Sequence, residues 1–230
     1  MKNLEKTSLK RPKRIIKEDI DTVLFDFDGT VMDTNDVIMK SWQHTFKTLT
    51  GEEGDEKYIL STFGEILEDS MKRTFPNHDT KKVVEIYRSY HYGKFLDLIS
   101  PFPGMEETLR EIKNRNYKTA LVTSRMSRTT MAAVDAFNLK EYFDEIVTME
   151  DCTRFKPDPE PIEIALKRMD SKANNSVMVG DSLLDLGCAK NAAVPFVMVG
   201  WSVSVDPFSI KRPDVSDLII SEAKDLLEIL

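Results

Sequence analysis

The sequence predicts an α/β protein built on an open, mainly parallel β-sheet that is flanked by helices. The first observation is a set of six short apolar segments that do not alternate with polar residues, which is typical of strands buried on both faces. The second is that helical patterns fall between these segments, and such alternation favours right-handed crossovers between parallel strands. The predicted strands are residues 22–27, 118–123, 145–148, 176–180, 196–200 and 217–221.

The segments between the later strands carry apolar residues at helical spacing. Gly104 and Asn116 mark the two edges of the first of these helices, because Gly and Asn favour helix ends. The predicted helices are residues 105–115, 128–137, 160–169, 183–192 and 223–230.

The connection after the first strand is far longer than a crossover requires. About 90 residues separate the first two strands, whereas a crossover needs only about a dozen. This stretch shows helical periodicity and no convincing strand, with predicted helices at residues 36–49, 65–75 and 80–99. We therefore expect an inserted all-helical domain at residues 34–100, within a core domain formed by residues 21–33 and 101–230.

Composition excludes several classes of protein. The chain has 230 residues with 32 Lys and Arg against 39 Asp and Glu, a net charge of −7 that argues against coating nucleic acid. Two cysteines cannot form a disulfide framework or a zinc ribbon, so a reducing compartment is expected. No apolar run approaches the ~20 residues that cross a bilayer, and no secretory signal is evident. We expect a cytoplasmic protein without a membrane or nucleic-acid partner.

Residues 1–20 form a basic extension. They carry seven Lys and Arg against three Asp and Glu, a local charge of +4 that leaves −11 on the rest of the chain. No aromatic residues or helical face accompany these charges, so a solvated extension is favoured over a tether for a polyanion.

Acidic, hydroxyl-bearing and basic side chains follow the predicted strands, and the carboxyl ends of parallel strands are where ligands bind. In order of the strands, they are Asp26 and Asp28, Thr123 and Ser124, Lys156, and Asp181 with Asp185. Converging carboxylates select a hard cation, and few protein ligands completed by water suit Mg²⁺. The hydroxyls, the lysine and the cation then face one kind of partner, a phosphoryl group.

Each of these features also has a local structural explanation. Asp28 with Gly29 is typical of a turn, and Ser182 with Asp185 has the spacing of a capping box. Thr123 or Ser124 could cap the following helix. Local structure explains Asp26 and Asp181 less completely. The occurrence of all these residues at successive strand ends favours a functional site.

The motifs resemble, in order, those of the haloacid-dehalogenase-like hydrolase superfamily. The matching residues are the hexapeptide DFDGTV at 26–31, Thr123 with Ser124, Lys156, and Gly180-Asp181 with Asp185. The helical insertion resembles the family's C1 cap. Residues 147–151, 156–161 and 178–181, with Trp201, are most similar to the phosphoglycolate phosphatase and bacterial pyrophosphatase branch. The resemblance implies a Rossmann-like core under a helical cap.

The resemblance also implies a mechanism. Asp26 would attack phosphorus and form an aspartyl-phosphate. Asp28 would protonate the leaving oxygen and then activate water. Lys156 would hold the phosphoryl oxygens and offset the carboxylates. The remaining roles are substrate binding by Gly29, Thr30, Thr123 and Ser124, and Mg²⁺ binding by Asp26, Asp28 through its carbonyl, Asp181 and Asp185, the last either directly or through water.

We therefore expect a Mg²⁺-dependent phosphatase for a small phosphorylated substrate, either a phosphoglycolate-like monoester or pyrophosphate. The acid at Asp28 disfavours the dehalogenase and phosphonate-cleaving branches. A sugar phosphomutase of the β-phosphoglucomutase type is the alternative, and a catalytically silent binding module is a weaker one.

Some positions depart from the family pattern or have no role in it. Ala193 stands where relatives often have Gly, which predicts shifted local geometry. Ile66 stands in the specificity loop where relatives often carry Pro, which leaves the substrate open. Arg125 and Arg154 could contact the substrate, but solvation at the surface is favoured for both. No role is assigned to His44, His78 or His91.

Overall fold

The computed structural model describes residues 19–203 and 219–230 and confirms the α/β fold. The strands are β1 (Thr22–Phe25), β2 (Met32–Asp33), β3 (Ser100–Pro101), β4 (Lys118–Val122), β5 (Glu145–Val147), β6 (Ser176–Gly180), β7 (Phe196–Val199) and β8 (Ile219–Ile220). Six of them form one sheet in the order β5-β4-β1-β6-β7-β8, and every pairing in it is parallel. All six predicted strands are found, although residues 217 and 218 lie outside the described residues.

Register places the ends of the central strands side by side. Phe25 at the end of β1 pairs with Leu121 of β4 on one side and with Val179 of β6 on the other. The residues that follow these three strands therefore meet at one edge of the sheet. This is the edge at which the sequence places Asp26, Thr123 and Asp181.

Strand β1 is buried on both faces, as its unbroken apolar sequence predicts. Val23 and Phe25 belong to one hydrophobic cluster and Leu24 to another on the opposite face, because successive side chains of a strand point to opposite sides. Helices of the core cover both faces of the sheet, and further helices lie in the insertion. The helices are α1 (Asn35–Thr50), α2 (Glu56–Leu60), α3 (Leu67–Thr74), α4 (Thr80–Lys94), α5 (Met105–Asn114), α6 (Ser127–Ala136), α7 (Glu160–Arg168) and α8 (Leu183–Asn191).

Helices α1 to α4 form the insertion and share their own core. Trp42, Ile59, Met71 and Tyr87 are buried in it. The sequence did not predict two features of this region. They are the five-residue α2 and an antiparallel ribbon in which β2 pairs with β3 at the base of the insertion. The expectation of no strand in this segment is therefore wrong, because two-residue strands are too short to show periodicity. The boundaries at residues 34–100 stay a prediction.

Two further details complete the comparison with the sequence. The predicted helix at 223–230 is a 3₁₀ helix over Ala223–Glu228. The basic extension lies outside the described residues, apart from Asp19 and Ile20. None of the helices in the described ranges is long and apolar enough to cross a bilayer.

Ala193 keeps the backbone geometry that a glycine would adopt, so the expected shift of local geometry is wrong. It follows α8 with a φ of +55°, and its N–H donates to the carbonyl of Lys190 at 3.1 Å. A side chain in this left-handed region costs about 1 kcal/mol.

We accordingly expect Ala193→Gly to raise the free energy of unfolding by up to about 1 kcal/mol, because glycine adopts this conformation without the Cβ clash. Denaturant unfolding measures it. Ala192→Gly, one residue earlier and without a positive φ, is the control and should not stabilise the protein.

Candidate active site

The first acid of the site lies directly after β1. The backbone N–H of Asp26 still donates to the carbonyl of Val179 at 2.9 Å, so the sheet fixes its position. Its side chain is buried and accepts a hydrogen bond from Lys156 Nζ at 2.7 Å. The same ammonium donates to Asp185 Oδ1 at 2.6 Å. The sequence prediction that a lysine from the third strand end faces these carboxylates is thus met by direct contact.

Three acids crowd this end of the sheet. Asp26, Asp181 and Asp185 each offer a carboxylate oxygen, and these atoms lie within 4.8 Å of one another. Burial raises the pKa of Asp26 to about 7, with Lys156 opposing and Asp185 adding to the shift. Burial and the charge of Asp185 also raise the pKa of Asp181 well above its ordinary range. One lysine does not balance three buried carboxylates, so the cluster fits a divalent cation.

Two glycines make this crowding possible. A Cβ on Gly29, whose φ is +78°, would lie 2.5 Å from Asp181 Oδ2. A Cβ on Gly180 would lie 2.6 Å from the Cβ of Asp185. Neither contact is tolerable, so both positions require glycine. The Asp28-Gly29 turn after β1 leaves the space that the acidic cluster occupies. The turn and the functional site are therefore compatible explanations of this motif.

Asp185 has a second set of partners. It completes a capping box at the start of α8, where Oδ2 accepts from the N–H of Ser182 at 3.1 Å and from its hydroxyl. Oδ1 accepts from Lys156. Both oxygens of Asp185 are therefore engaged, and its carboxylate anchors the helix and the lysine together.

Asp28 lies away from this cluster and binds Arg125. The guanidinium donates to both carboxylate oxygens, from Nη2 to Oδ1 at 2.6 Å and from Nε to Oδ2 at 2.9 Å. Thr34 Oγ1 also donates to Oδ1 at 2.7 Å. Burial alone would raise the pKa of Asp28, but Arg125 outweighs it and holds that pKa below its usual value.

The expectation that Arg125 is a solvated surface residue is wrong, since only 8% of its side chain is exposed. It lies over the ring of Phe95, with Cζ 4.6 Å from the ring centroid. Arg154, by contrast, is largely exposed as expected and pairs with Asp158 and Glu160.

His91 on α4 supports the arginine from the cap. Its Nε2 lies 3.1 Å from Arg125 Nη1 and its Nδ1 lies 3.2 Å from Ser41 Oγ. Burial, with a smaller contribution from the charge of Arg125, lowers the pKa of His91 to about 3, so the ring is neutral. Because a guanidinium only donates, Nε2 is the acceptor and Nδ1 carries the proton. A chain of contacts thus links the cap to Asp28.

The hydroxyl-bearing residues after β1 and β4 take different positions. Ser124 lines the cavity, whereas Thr123 is buried and its Oγ1 accepts from the N–H of Arg125 at 3.1 Å. Helix α6 has Met126 as its N-cap, so neither residue caps it. Thr30 is also buried, and its hydroxyl has no hydrogen-bond partner among the described residues. Neither Thr30 nor Thr123 is part of the cavity wall that the described residues form.

A cavity of about 170 Å³ joins these groups to the cap. On the core side it is lined by Asp26, Asp28, Gly29, Ser124, Lys156, Asp181 and Asp185. The cap closes over it by direct contacts: Tyr92 Oη donates to the sulfur of Met126 at 3.6 Å, and the Arg128 guanidinium lies over the Tyr92 ring. Most residues that the sequence places at the site therefore line one cavity.

Fold and site point to one class of enzyme, the haloacid dehalogenase-like hydrolases. The chain belongs to this family, because the family model described as haloacid dehalogenase-like hydrolase matches residues 23–199. This confirms the family and the enzyme class that the four motifs predict.

Relatives agree over nearly the whole chain. The pyrophosphatase PpaX of Halalkalibacterium halodurans is 34% identical, over 92% of this chain and 97% of that protein. A haloacid dehalogenase-like family hydrolase from Streptococcus pneumoniae has a TM-score of 0.80 at 23% identity, covering 91% of this chain and 98% of the other. A predicted phosphoglycolate phosphatase from Haemophilus somnus has a TM-score of 0.80 at 20% identity, covering 92% and 98%. Family and relatives make the chain a phosphatase of this superfamily.

Proposed function

We propose that the chain is a Mg²⁺-dependent phosphatase that hydrolyses a small phosphorylated substrate through an aspartyl-phosphate on Asp26. The observation that carries the proposal is the position of Asp26. Its carboxylate lies at the end of β1, hydrogen-bonded to Lys156 and beside Asp181. It is held without freedom to rotate away, as a nucleophile must be.

In the first step an oxygen of Asp26 attacks phosphorus while the bond to the leaving oxygen breaks. Lys156, which already contacts Asp26, holds the phosphoryl oxygens and stabilises their charge. Asp28 donates the proton that the leaving oxygen needs. In the second step Asp28 takes a proton from water, the water oxygen attacks phosphorus, and phosphate leaves Asp26 as a carboxylate.

Mg²⁺ fits the acidic cluster and would supply charge neutralisation and orientation for the phosphoryl group. Asp26 and Asp181 offer carboxylate oxygens to it, and Asp28 offers its backbone carbonyl. Asp185 acts differently in this proposal, because both of its oxygens already accept hydrogen bonds. We assign it to positioning Lys156, and it would hold the cation through water rather than directly.

Arg125 is a positioning residue in this mechanism. It holds both oxygens of Asp28, as does Thr34 for one of them, so Asp28 in this arrangement has no oxygen free of a donor. Because Arg125 stabilises the charged carboxylate, Asp28 accepts a proton more readily when a contact to Arg125 loosens. Because His91 holds Arg125 from α4, movement of the cap and release of the acid are linked.

The test is to capture the phosphoryl group on Asp26. We expect Asp28→Asn to accumulate the aspartyl-phosphate, because its amide cannot activate the water of the second step. The variant is incubated briefly with a phosphorus-labelled activated ester and quenched with acid. Mass spectrometry of the peptide that contains residues 26–31 then locates the label.

Asp26→Asn and the double variant are the controls, and both should carry no label. Label on another residue, or turnover of wild type without any labelled intermediate under the same quench, would contradict a nucleophilic Asp26. Pyrophosphate and phosphoglycolate are the first natural substrates to assay, because relatives carry names that include them.

A further inference from the structure

The cavity wall above the acids is largely apolar. Six of its apolar side chains are only half-buried and so present surface to the cavity. They are Ile38, Phe63, Leu67 and Tyr92 of the cap and Met126 and Met149 of the core. Trp42 and Tyr87 behind them are buried in the core of the cap. An apolar group that covers such a wall removes apolar surface from water, which makes binding more favourable.

The segment that carries Phe63 and Leu67 reaches down to the core. Gly64, between them in the chain, has a φ of +82°, and a Cβ placed on it would lie 3.5 Å from a methyl of Leu184 and 3.9 Å from Ser182 Oγ. The turn therefore sits on the start of α8, beside the acidic cluster. This position places Phe63 where it meets whatever is attached to the reacting phosphoryl group.

The cations of the cavity wall already have partners. Among the described residues the wall contains three, and each forms an ion pair: Lys156 with Asp26 and Asp185, Arg125 with Asp28, and Arg88 with Glu68 at 2.7 Å. A substrate with a second anionic group needs a cation that is not so engaged.

The cap contributes two acids and one arginine to this wall, and each of them is ion-paired. Glu65 and Glu68 both line the cavity, and Glu65 is held by Ser70 and Arg73. Arg73 and Arg88 offset these acids, so the cap contributes no unpaired cation to the wall that the described residues form. The wall therefore lacks the free positive charge that would favour the second anionic group of pyrophosphate or phosphoglycolate.

We infer that the substrate is a phosphomonoester whose leaving group is uncharged and carries an aromatic or branched apolar body, which packs against Phe63 and Leu67. This inference rests on the proposed phosphatase function and names the substrate class of the same site. It predicts a substrate other than the pyrophosphate that the name of the PpaX relatives indicates.

The experiment compares four substrates in the presence of Mg²⁺: benzyl phosphate, ethyl phosphate, pyrophosphate and phosphoglycolate. Benzyl and ethyl phosphate both release a primary alcohol, so their difference reports on the apolar wall. We expect kcat/KM for benzyl phosphate to exceed that for ethyl phosphate by about 10-fold or more, as removal of apolar contacts in a pocket commonly costs. Pyrophosphate and phosphoglycolate, which each carry a second anionic group, should both be poorer substrates than benzyl phosphate.

Phe63→Ala should reduce the benzyl-to-ethyl ratio towards one, and Phe63→Leu should recover part of it. Leu67→Ala serves if Phe63→Ala does not fold. The control is Leu96→Ala, an exposed apolar residue of the cap outside the cavity wall, and it should leave the ratio unchanged.

The outcomes separate the two proposals. Higher kcat/KM for pyrophosphate or phosphoglycolate, a benzyl-to-ethyl ratio near one in wild type, or a ratio that Phe63→Ala does not change would overturn this inference while leaving the phosphatase intact. Failure to hydrolyse any of the four with Mg²⁺, together with no label on Asp26, would overturn the proposed function itself.

Discussion

Replacement of Asp26 by Asn is expected to lower kcat by at least about 10⁴-fold, a loss typical of removing a nucleophile, without lowering the stability of the fold. Asn keeps the shape of the side chain but cannot form the acyl phosphate. Steady-state assays measure the loss, with ethyl phosphate and benzyl phosphate as substrates.

The stability of this variant follows from the electrostatics of the cluster. Burial raises the pKa of Asp26, so its charged form is unfavourable in the folded protein. Lys156 keeps its second partner, Asp185, at 2.6 Å, so no buried cation loses its last carboxylate. We expect the free energy of unfolding in the absence of metal to stay equal or to rise, as is common when a strained active-site group is neutralised.

Asp36→Asn is the matched control, because it makes the same chemical change on an exposed carboxylate that pairs with Lys40 on α1. Its activity should equal that of wild type. Residual activity of Asp26→Asn within about 10-fold of wild type would exclude the nucleophilic role, since an amide cannot replace the carboxylate in that reaction. A large loss of stability would contradict the electrostatic account and leave the activity loss explained by misfolding.

The sequence predicts those site residues that directly follow a strand. Asp26 and Asp181 follow unbroken apolar segments, and parallel pairing of β1 with β6 then brings them together. Gly29 indicated only a turn in the sequence, and the structure adds that a Cβ there would lie 2.5 Å from Asp181 Oδ2. Motif order and the physics of parallel sheets were sufficient for these residues.

The Arg125–His91 pair could not be predicted in the same way. The two residues are 34 positions apart, one in a core loop and one in the cap, and their contact depends on how the cap closes. Periodicity does mark His91 as a residue of α4, but it does not show what faces it across a domain boundary. An arginine directly after a strand-end hydroxyl pair was the one available signal for Arg125, and solvent exposure was the simpler interpretation.

The capping box at Ser182 shows that local and functional explanations were not alternatives. Asp185 stabilises the start of α8 through Oδ2 and holds Lys156 through Oδ1. One carboxylate thus fixes a helix end and the cation of the site to each other. The sequence pattern showed the first role, and only the fold shows that Lys156, 29 residues away, completes the second.

Binding of Mg²⁺ is expected to stabilise the protein as well as to activate it. A cation among Asp26, Asp181 and Asp185 removes the repulsion between buried carboxylates. At a concentration about 100 times its dissociation constant, a ligand that binds only the folded state adds about 2.7 kcal/mol. For a chain of this size, that corresponds to a Tm higher by roughly 5–10 °C. Thermal unfolding with Mg²⁺ and with chelator measures it, and activity should disappear in chelator and return with Mg²⁺.

The increase in Tm that Mg²⁺ causes should become larger as the pH rises. Since the folded protein raises the pKa of Asp26 from 3.8 to about 7, the metal-free folded state retains a proton that the unfolded state has lost between these values. This carboxyl therefore destabilises the metal-free protein increasingly as pH rises through that window. Metal must displace the proton, so the Tm increase with Mg²⁺ should be larger near about pH 8 than near about pH 5.5.

Asp181→Asn separates metal binding from general charge effects. The variant removes the negative charge of one proposed ligand and leaves Asp26, Lys156 and Asp185 in place. Both the Tm increase with Mg²⁺ and its pH dependence should therefore become smaller. An equal Tm increase in wild type and Asp181→Asn, or an increase that is larger at low pH, would place the cation elsewhere. Activity alone could not separate these cases, because a misplaced phosphoryl group and a missing metal both lower kcat, whereas the pH-dependent Tm reports on the carboxylates themselves.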